Sequence, residues 1–180
     1  MRRTYSAADM NDAVSAATPN QPIDARTLRT ALGGFATGVT IVTCRGEAGD
    51  AVGLTVNSFN ALSLEPPMVL WSLRLASPSL AAFDSAAHFA INVLAESQVE
   101  LSRRFASTLP AKFDEGLWVQ GAGGVPVLSG CAATFECEIA SNQTAGDHRL
   151  YLGRVLRAYA QPVPPLLYHG GRYHLLGEIL

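Results

Sequence analysis

Residues 53–73 read GLTVNSFNALSLEPPMVLWSL, and this stretch decides the fold. Leu54 and Val56 alternate with the small polar residues Thr55, Asn57 and Ser58, the period-two pattern of a half-buried strand. The segment Ser63-Leu64-Glu65-Pro66-Pro67 then forces a turn, because two consecutive prolines lack the N–H donors that a paired central strand needs. After it the apolar run Met68-Val69-Leu70-Trp71 begins a second strand. The stretch is therefore expected to be a strand, a polar corner and another strand. A cluster of neutral hydrogen-bonding groups is held between two buried segments.

Working outward, the 180 residues suit one domain with a core of its own. Residues 1–22 are rich in Ala, Ser, Asn and Asp and end on Pro19 and Pro22, and are read as a flexible N-terminal arm; residues 23–180 form the domain. Asp24 is placed to cap a helix over Ala25–Leu32 that Gly33-Gly34 terminates. Thr37–Cys44 is β-branched and reads as the first strand, with a hairpin turn at 45–50 leading into Ala51–Asn57. Further elements are a short helix at Leu80–Ser85, a strand at Phe89–Leu94, and a helix over Gln98–Phe105 capped by Ser97. Residues 112–124 read as loop, and strands are expected at Ala132–Ser141, Leu150–Ala160 and Gly171–Leu176. The sum is a mainly β fold with short helices, at a strand spacing that suits a closed or nearly closed barrel.

Composition narrows the function. Charged residues make up 16% of the chain against 48% hydrophobic, and the net charge is −2. Nothing in that balance attracts nucleic acid, and no apolar run approaches a membrane span. A surface so poor in charge points to a homodimer that covers part of its apolar area. Cys44, Cys131 and Cys137 lack CxxC spacing and read as buried thiols in a reducing, cytoplasmic setting, with Cys131 and Cys137 at a spacing that could put them on one face. There is no GxGxxG, no GxxxxGK[ST] and no GxSxG. The four histidines have no metal-ligand spacing, so no metal is expected. Gly146-Asp147-His148 joins two expected strands and sets a histidine at a barrel rim, beside a carboxylate that can orient its ring.

Together these segments resemble the flavin reductase-like family, the small reductase components of two-component flavin-dependent monooxygenases. The resemblance runs from about Arg26 to Leu176. It is carried by Phe35-Ala36-Thr37-Gly38-Val39-Thr40, Gly53-Leu54-Thr55-Val56-Asn57-Ser58-Phe59 and Ser63-Leu64-Glu65-Pro66-Pro67. Phe89-Ala90-Ile91-Asn92-Val93-Leu94, Arg104-Phe105-Ala106, Lys112-Phe113, Gly146-Asp147-His148, Leu166-Leu167-Tyr168 and Gly171-Arg172-Tyr173 complete it.

The resemblance implies a split β-barrel of the FMN-binding type, usually dimeric, with FMN or FAD and NADH or NADPH as its nucleotides. It implies an NAD(P)H:flavin oxidoreductase whose reduced flavin diffuses to a partner oxygenase. Carried over, Thr37, Gly38 and Val39 would line the flavin ring, and Thr55, Asn57 and Ser58 would supply neutral donors, with Val56 among them in the cofactor-binding stretch. Ser63, Leu64 and Pro67 would shape the ring edge, with Trp71, Ser72 and Leu73 alongside. Phe105, Ala106, Lys112 and Phe113 would close over the phosphate or ribityl side. His148 and Tyr173 would contact the nicotinamide nucleotide. Asn57 departs from the serine that many relatives carry. An amide still donates, so FMN and FAD both stay open, and the lack of an arginine pair for a 2′-phosphate favours NADH. No residue is expected as a catalytic acid or base, His148 being the one candidate, since hydride transfer needs aligned rings and excluded water. The competing readings are a non-catalytic flavin carrier or sensor, and a split-barrel oxidase of the pyridoxamine phosphate oxidase type.

Overall fold

The computed structural model describes residues 22–178 and divides into two units, one ending at Gly34 and one starting at Phe35. The arm expected at residues 1–22 lies outside the described residues except for Pro22. In the first unit, helix α1 (Ala25–Gly33) starts as the sequence indicates. Asp24 accepts a hydrogen bond from Thr27 N at 3.0 Å, and the Gly34 N–H returns to Ala31 and Leu32 carbonyls at the other end. That bond from Thr27 holds the Asp24 carboxyl below its ordinary range.

In the second unit the strands are β1 (Thr37–Gly38), β2 (Thr40–Arg45), β3 (Ala51–Val56), β4 (Asn60–Leu64), β5 (Pro67–Arg74) and β6 (His88–Val93). They continue with β7 (Trp118–Gln120), β8 (Pro126–Leu128), β9 (Ala133–Ala145), β10 (His148–Ala160), β11 (Leu167–His169) and β12 (Arg172–His174). The helices are α2 (Leu80–Ser85) and α3 (Val99–Ala106). Seven strands make one antiparallel sheet in the order β3-β2-β6-β9-β10-β5-β4. Its two edge strands, β3 and β4, follow each other in sequence with only residues 57–59 between them. A chain of three residues spans about 10 Å at most, so the sheet must curl until its edges meet. No ladder joins β3 to β4. The edges are therefore joined by the chain but not by hydrogen bonds along that seam, the arrangement of a split barrel.

One residue stitches the seam. The Ser58 hydroxyl donates to Ser72 O at 2.8 Å and accepts from Ser72 N at 3.1 Å, so it extends the β4–β5 ladder ahead of the first residue of β4. Inside the curl, Trp71, Phe83, Phe89, Tyr151, Val42 and Ile91 form one buried cluster, with Trp71 stacked on Tyr151 at 4.8 Å between ring centres. Tyr151 donates to Asp84 Oδ1 at 2.7 Å, which ties α2 to β10. A second cluster gathers Val39, Ile41, Leu94, Phe105, Leu128 and Leu166.

The mainly β architecture agrees with the expectation; several boundaries do not. The expected first strand, Thr37–Cys44, is split at Val39, where the chain leaves the small β1-β11-β12 sheet for the large one. Val39 N donates to Leu166 O, and its carbonyl accepts from Leu94 N. The polar corner contains a whole strand, β4. The loop at 112–124 contains β7, which pairs with β8 as a separate ribbon. Ser97 does not cap α3: a 3-10 turn over Glu96–Gln98 precedes it, and Gln98 Oε1 accepts from Ala95 N at 2.9 Å. Cys131 and Cys137 are both buried but belong to different clusters, because Cys131 precedes β9 rather than lying in it.

Candidate functional site

The C-terminal end of β3 divides two clefts. The larger, about 480 Å³, is lined by Leu54, Thr55, Val56, Asn57, Ser58, Ser72, Leu73, Arg74, Ala76, Ser77, Pro78 and His148. The smaller, about 200 Å³, is lined by Val39, Thr55, Val56, Asn57, Ala106, Tyr168 and Tyr173. Thr55, Val56 and Asn57 line both, so the two clefts adjoin. The open seam of the barrel creates the larger cleft, since β3 departs towards one side while β5 and the start of β10 hold the other.

Hydrogen bonding modifies the expected donor set. Thr55 Oγ1 donates to Ser102 O at 2.7 Å, and the Ser58 proton is committed to Ser72 O. The Thr55 hydroxyl therefore fastens β3 to α3 and the Ser58 hydroxyl fastens the 57–59 connection to β5, and both retain only lone pairs for a ligand. Asn57 is exposed and its amide makes no bond to another described residue, so it is the donor that stays available. The Thr37 hydroxyl, on β1 opposite Tyr168, is buried without a partner.

His148 opens β10 directly after the two-residue turn Gly146-Asp147, in which Gly146 takes φ of 60°, a left-handed conformation that a side chain would strain. Its Nδ1 lies 2.7 Å from Asp147 Oδ1, so the ring is oriented and Nε2 is its remaining polar atom. That contact, with its charge, holds the Asp147 carboxyl below the usual carboxylate range. At the smaller cleft, Tyr173 OH shares a 2.8 Å bond with the buried Ser102 hydroxyl, its ring meets Tyr168 edge-on at 5.6 Å, and the Arg103 guanidinium lies 5.8 Å from its centre.

The structure brings Val39, Thr55, Val56, Asn57, Ser58, Ser72, Leu73, Ala106, His148 and Tyr173 to these clefts. It does not bring the rest. Trp71 and Phe105 are core residues with 0% and 1% exposure, which leaves them no surface for a ligand. Ser63, Leu64 and Pro67 lie on the β4–β5 hairpin, with Leu64 pointing outward at 96% exposure. Thr37 and Gly38 pair with β11. Lys112 and Phe113 line a separate cleft of about 320 Å³ with Ala51, Val52 and Gly53, where Lys112 Nζ donates to Phe105 O at 3.3 Å and partial burial lowers its pKa. Arg74, Ser77 and Tyr168 line the clefts without having been expected there. Arg74 is brought in by pairing opposite His148, a register that no local pattern announces. Tyr168 carried a visible signal, its alternation with Leu167 before a double glycine.

Comparison with known proteins agrees with this architecture. The family described as flavin reductase like domain matches residues 32–177. The chain is 46% identical over 150 residues to FMN reductase (NADH) SmoA of Agrobacterium fabrum (strain C58 / ATCC 33970), covering 83% of this chain and 85% of that one. It is 42% identical over 154 residues to the flavin-dependent monooxygenase reductase subunit HsaB of Rhodococcus jostii (strain RHA1), covering 85% and 78%. Other relatives are longer, and the chain spans 42% and 65% of two of them. Among solved structures, NADH:FAD oxidoreductase SgcE6 of Streptomyces globisporus C-1027, in complex with NAD and FAD fragments, superposes with a TM-score of 0.81 at 35% identity, covering 89% of this chain and 98% of that one. A curled sheet split beside two clefts, matched along nearly its whole length, places this chain in the flavin reductase like domain family.

Proposed function

We propose that this protein is an NADH-dependent flavin reductase that passes a hydride to FMN or FAD and releases the reduced flavin to a separate oxygenase. The observation that carries it is the pair of adjoining clefts with Thr55, Val56 and Asn57 in the lining of both, which gathers apolar surface and neutral polar groups for a planar ring around one strand end. The relatives support it through what they are named for: FMN reduction by NADH, and the reductase subunit of a flavin-dependent monooxygenase.

The residues present fit a flavin. A planar ring with one polar edge needs apolar walls and a few neutral donors. Val39, Val56, Leu73 and Tyr168 provide the walls, and the Asn57 amide offers a polar contact. Bound flavin supplies the electron-accepting ring. The protein's share is alignment and exclusion of water. His148, oriented by Asp147, and Tyr173, anchored by Ser102, would contact the nicotinamide nucleotide. Hydride transfer itself needs no side chain to move a proton, which suits a site whose lining holds no carboxylate.

A homodimer and a cytoplasmic location are parts of the same proposal, supported by exposed apolar side chains and by three free, buried cysteines. The test is NADH oxidation by the purified protein with FMN, FAD or riboflavin added in turn. Turnover that rises with free flavin establishes the reductase and ranks its flavins; flavin binding without NADH oxidation establishes a carrier instead.

A further inference from the structure

Ser102 is a hydroxyl in a place where packing alone asks for none. It lies within α3 at 0% exposure. Alanine would fill the same position with a higher helix propensity and no polar group to satisfy. A buried hydroxyl left without a partner costs free energy, so the bond it makes is informative. That bond joins Ser102 Oγ to Tyr173 OH on β12, 2.8 Å away. Among the described residues it is the one hydrogen bond between a side chain of α3 and the β11–β12 hairpin.

The backbone of the same residue holds a second element. Ser102 O accepts from Thr55 Oγ1 of β3 at 2.7 Å. Strand β3 belongs to the seven-stranded sheet and the hairpin to the three-stranded one, so no ladder joins them. Both nevertheless line the smaller cleft, β3 through Thr55 and Val56, the hairpin through Tyr168 and Tyr173. Ala106, four residues beyond Ser102 and so on the same face of α3, lines it as well. Helix α3 therefore backs the cleft, and Ser102 is the point at which both of its sides are fastened. The Tyr173 ring also meets Tyr168 edge-on at 5.6 Å and lies 5.8 Å from the Arg103 guanidinium. Those contacts hold the ring without fixing its phenol oxygen, which the directional bond to Ser102 does.

We infer that Ser102 is a positioning residue of the smaller cleft: through Thr55 and Tyr173 it sets the separation of β3 from the hairpin, and with it the fit of a planar ring between them. Ser102 is buried and touches no ligand itself. The inference rests on the reductase reading for the ligand concerned, the nicotinamide nucleotide that Tyr173 would contact.

A double-mutant cycle over the Ser102–Tyr173 bond tests this. Ser102→Ala, Tyr173→Phe and the double variant are compared with the unmodified protein in fluorescence titrations with NADH and with FMN, and in steady-state assays. Tyr173→Phe keeps the ring and leaves the buried helix untouched, so it reports on the bond even if Ser102→Ala folds poorly. Loss of one neutral hydrogen bond should raise the Kd and KM for NADH by about three- to tenfold in each single variant. The double variant should be no worse than either single one, because the same bond is lost once. Neither kcat nor the Kd for FMN should move. Losses that add in the double variant, an unchanged affinity for NADH, or a loss for FMN as large as that for NADH, the mark of a merely structural serine, overturn the inference. If the unmodified protein binds FMN but no NADH, the reductase reading fails by itself and the cycle is read on FMN. An equal, non-additive loss there upholds the role of Ser102, and unchanged FMN binding overturns it.

Discussion

At Gly153 a missing side chain lets two layers touch. A Cβ built there would collide with Phe89 Cζ, lie 2.8 Å from Phe89 Cε1 and 3.1 Å from Cys137 Cβ. All three residues are buried, so nothing can move aside into solvent. Gly153→Ala should destabilise the fold by about 1–3 kcal/mol, the usual cost of overpacking, read as a lower urea midpoint with an unchanged m-value. The cysteines give a second expectation. Burial pushes the thiols of Cys44, Cys131 and Cys137 up to about 12, so almost no thiolate exists at pH 8. The native protein should react negligibly with a thiol reagent at that pH, and three thiols should titrate after denaturation. Because the thiols stay protonated in the fold while the unfolded chain ionises near the ordinary cysteine value, stability from this source is full below that value and declines as pH rises towards 12.

The seam between β3 and β4, beside which β5 lies, sets the site at the scale of elements. Ser58→Ala removes the one side-chain oxygen that satisfies both the N–H and the carbonyl of Ser72. A loss of about 1–3 kcal/mol is expected from two stranded backbone groups, and the larger cleft should loosen with it. Urea unfolding together with flavin titration checks this, since Ser58→Thr keeps the hydroxyl and should restore both. How far these elements were legible depended on burial. β2, β6 and the first half of β9 announce themselves through β-branched or apolar residues that the core covers. β4 does not: Asn60, Ala61, Leu62 and Leu64 are all exposed, so no face is selected for apolar residues and alternation carries no information. The far end of β9, residues 142–145, is missed for the same reason, because both of its faces are exposed. β7, at three residues, is shorter than any periodicity can register.

The candidate site was legible where its residues are contiguous and hidden where tertiary pairing assembles it. Thr55–Ser58 and Gly146-Asp147-His148 could be read directly. Arg74 reaches the cleft only through its register with His148, and the commitment of Thr55 and Ser58 to protein carbonyls depends on where Ser102 and Ser72 end up.

For the whole molecule, the outer surface carries apolar side chains that a lone copy leaves in water. Leu64, Leu117 and Phe35 are 96%, 77% and 70% exposed, and Val119 and Tyr159 more than half. Covering such groups is what a second copy does, so light scattering should return twice the mass of the 180-residue chain. A monomeric mass at micromolar concentration would remove the dimer from the account. Among the described residues no helix is long and apolar enough to cross a membrane.

The central claim is that this barrel brings a reduced nicotinamide and a flavin together and lets electrons pass between them. Anaerobic mixing of the protein with NADH and FMN tests it most directly, because without oxygen the reduced flavin accumulates and its yellow absorbance is lost. The account requires one FMN bleached for each NADH consumed, at a rate proportional to protein concentration. Absorbance that persists, or that fades no faster than in the protein-free mixture, would contradict it.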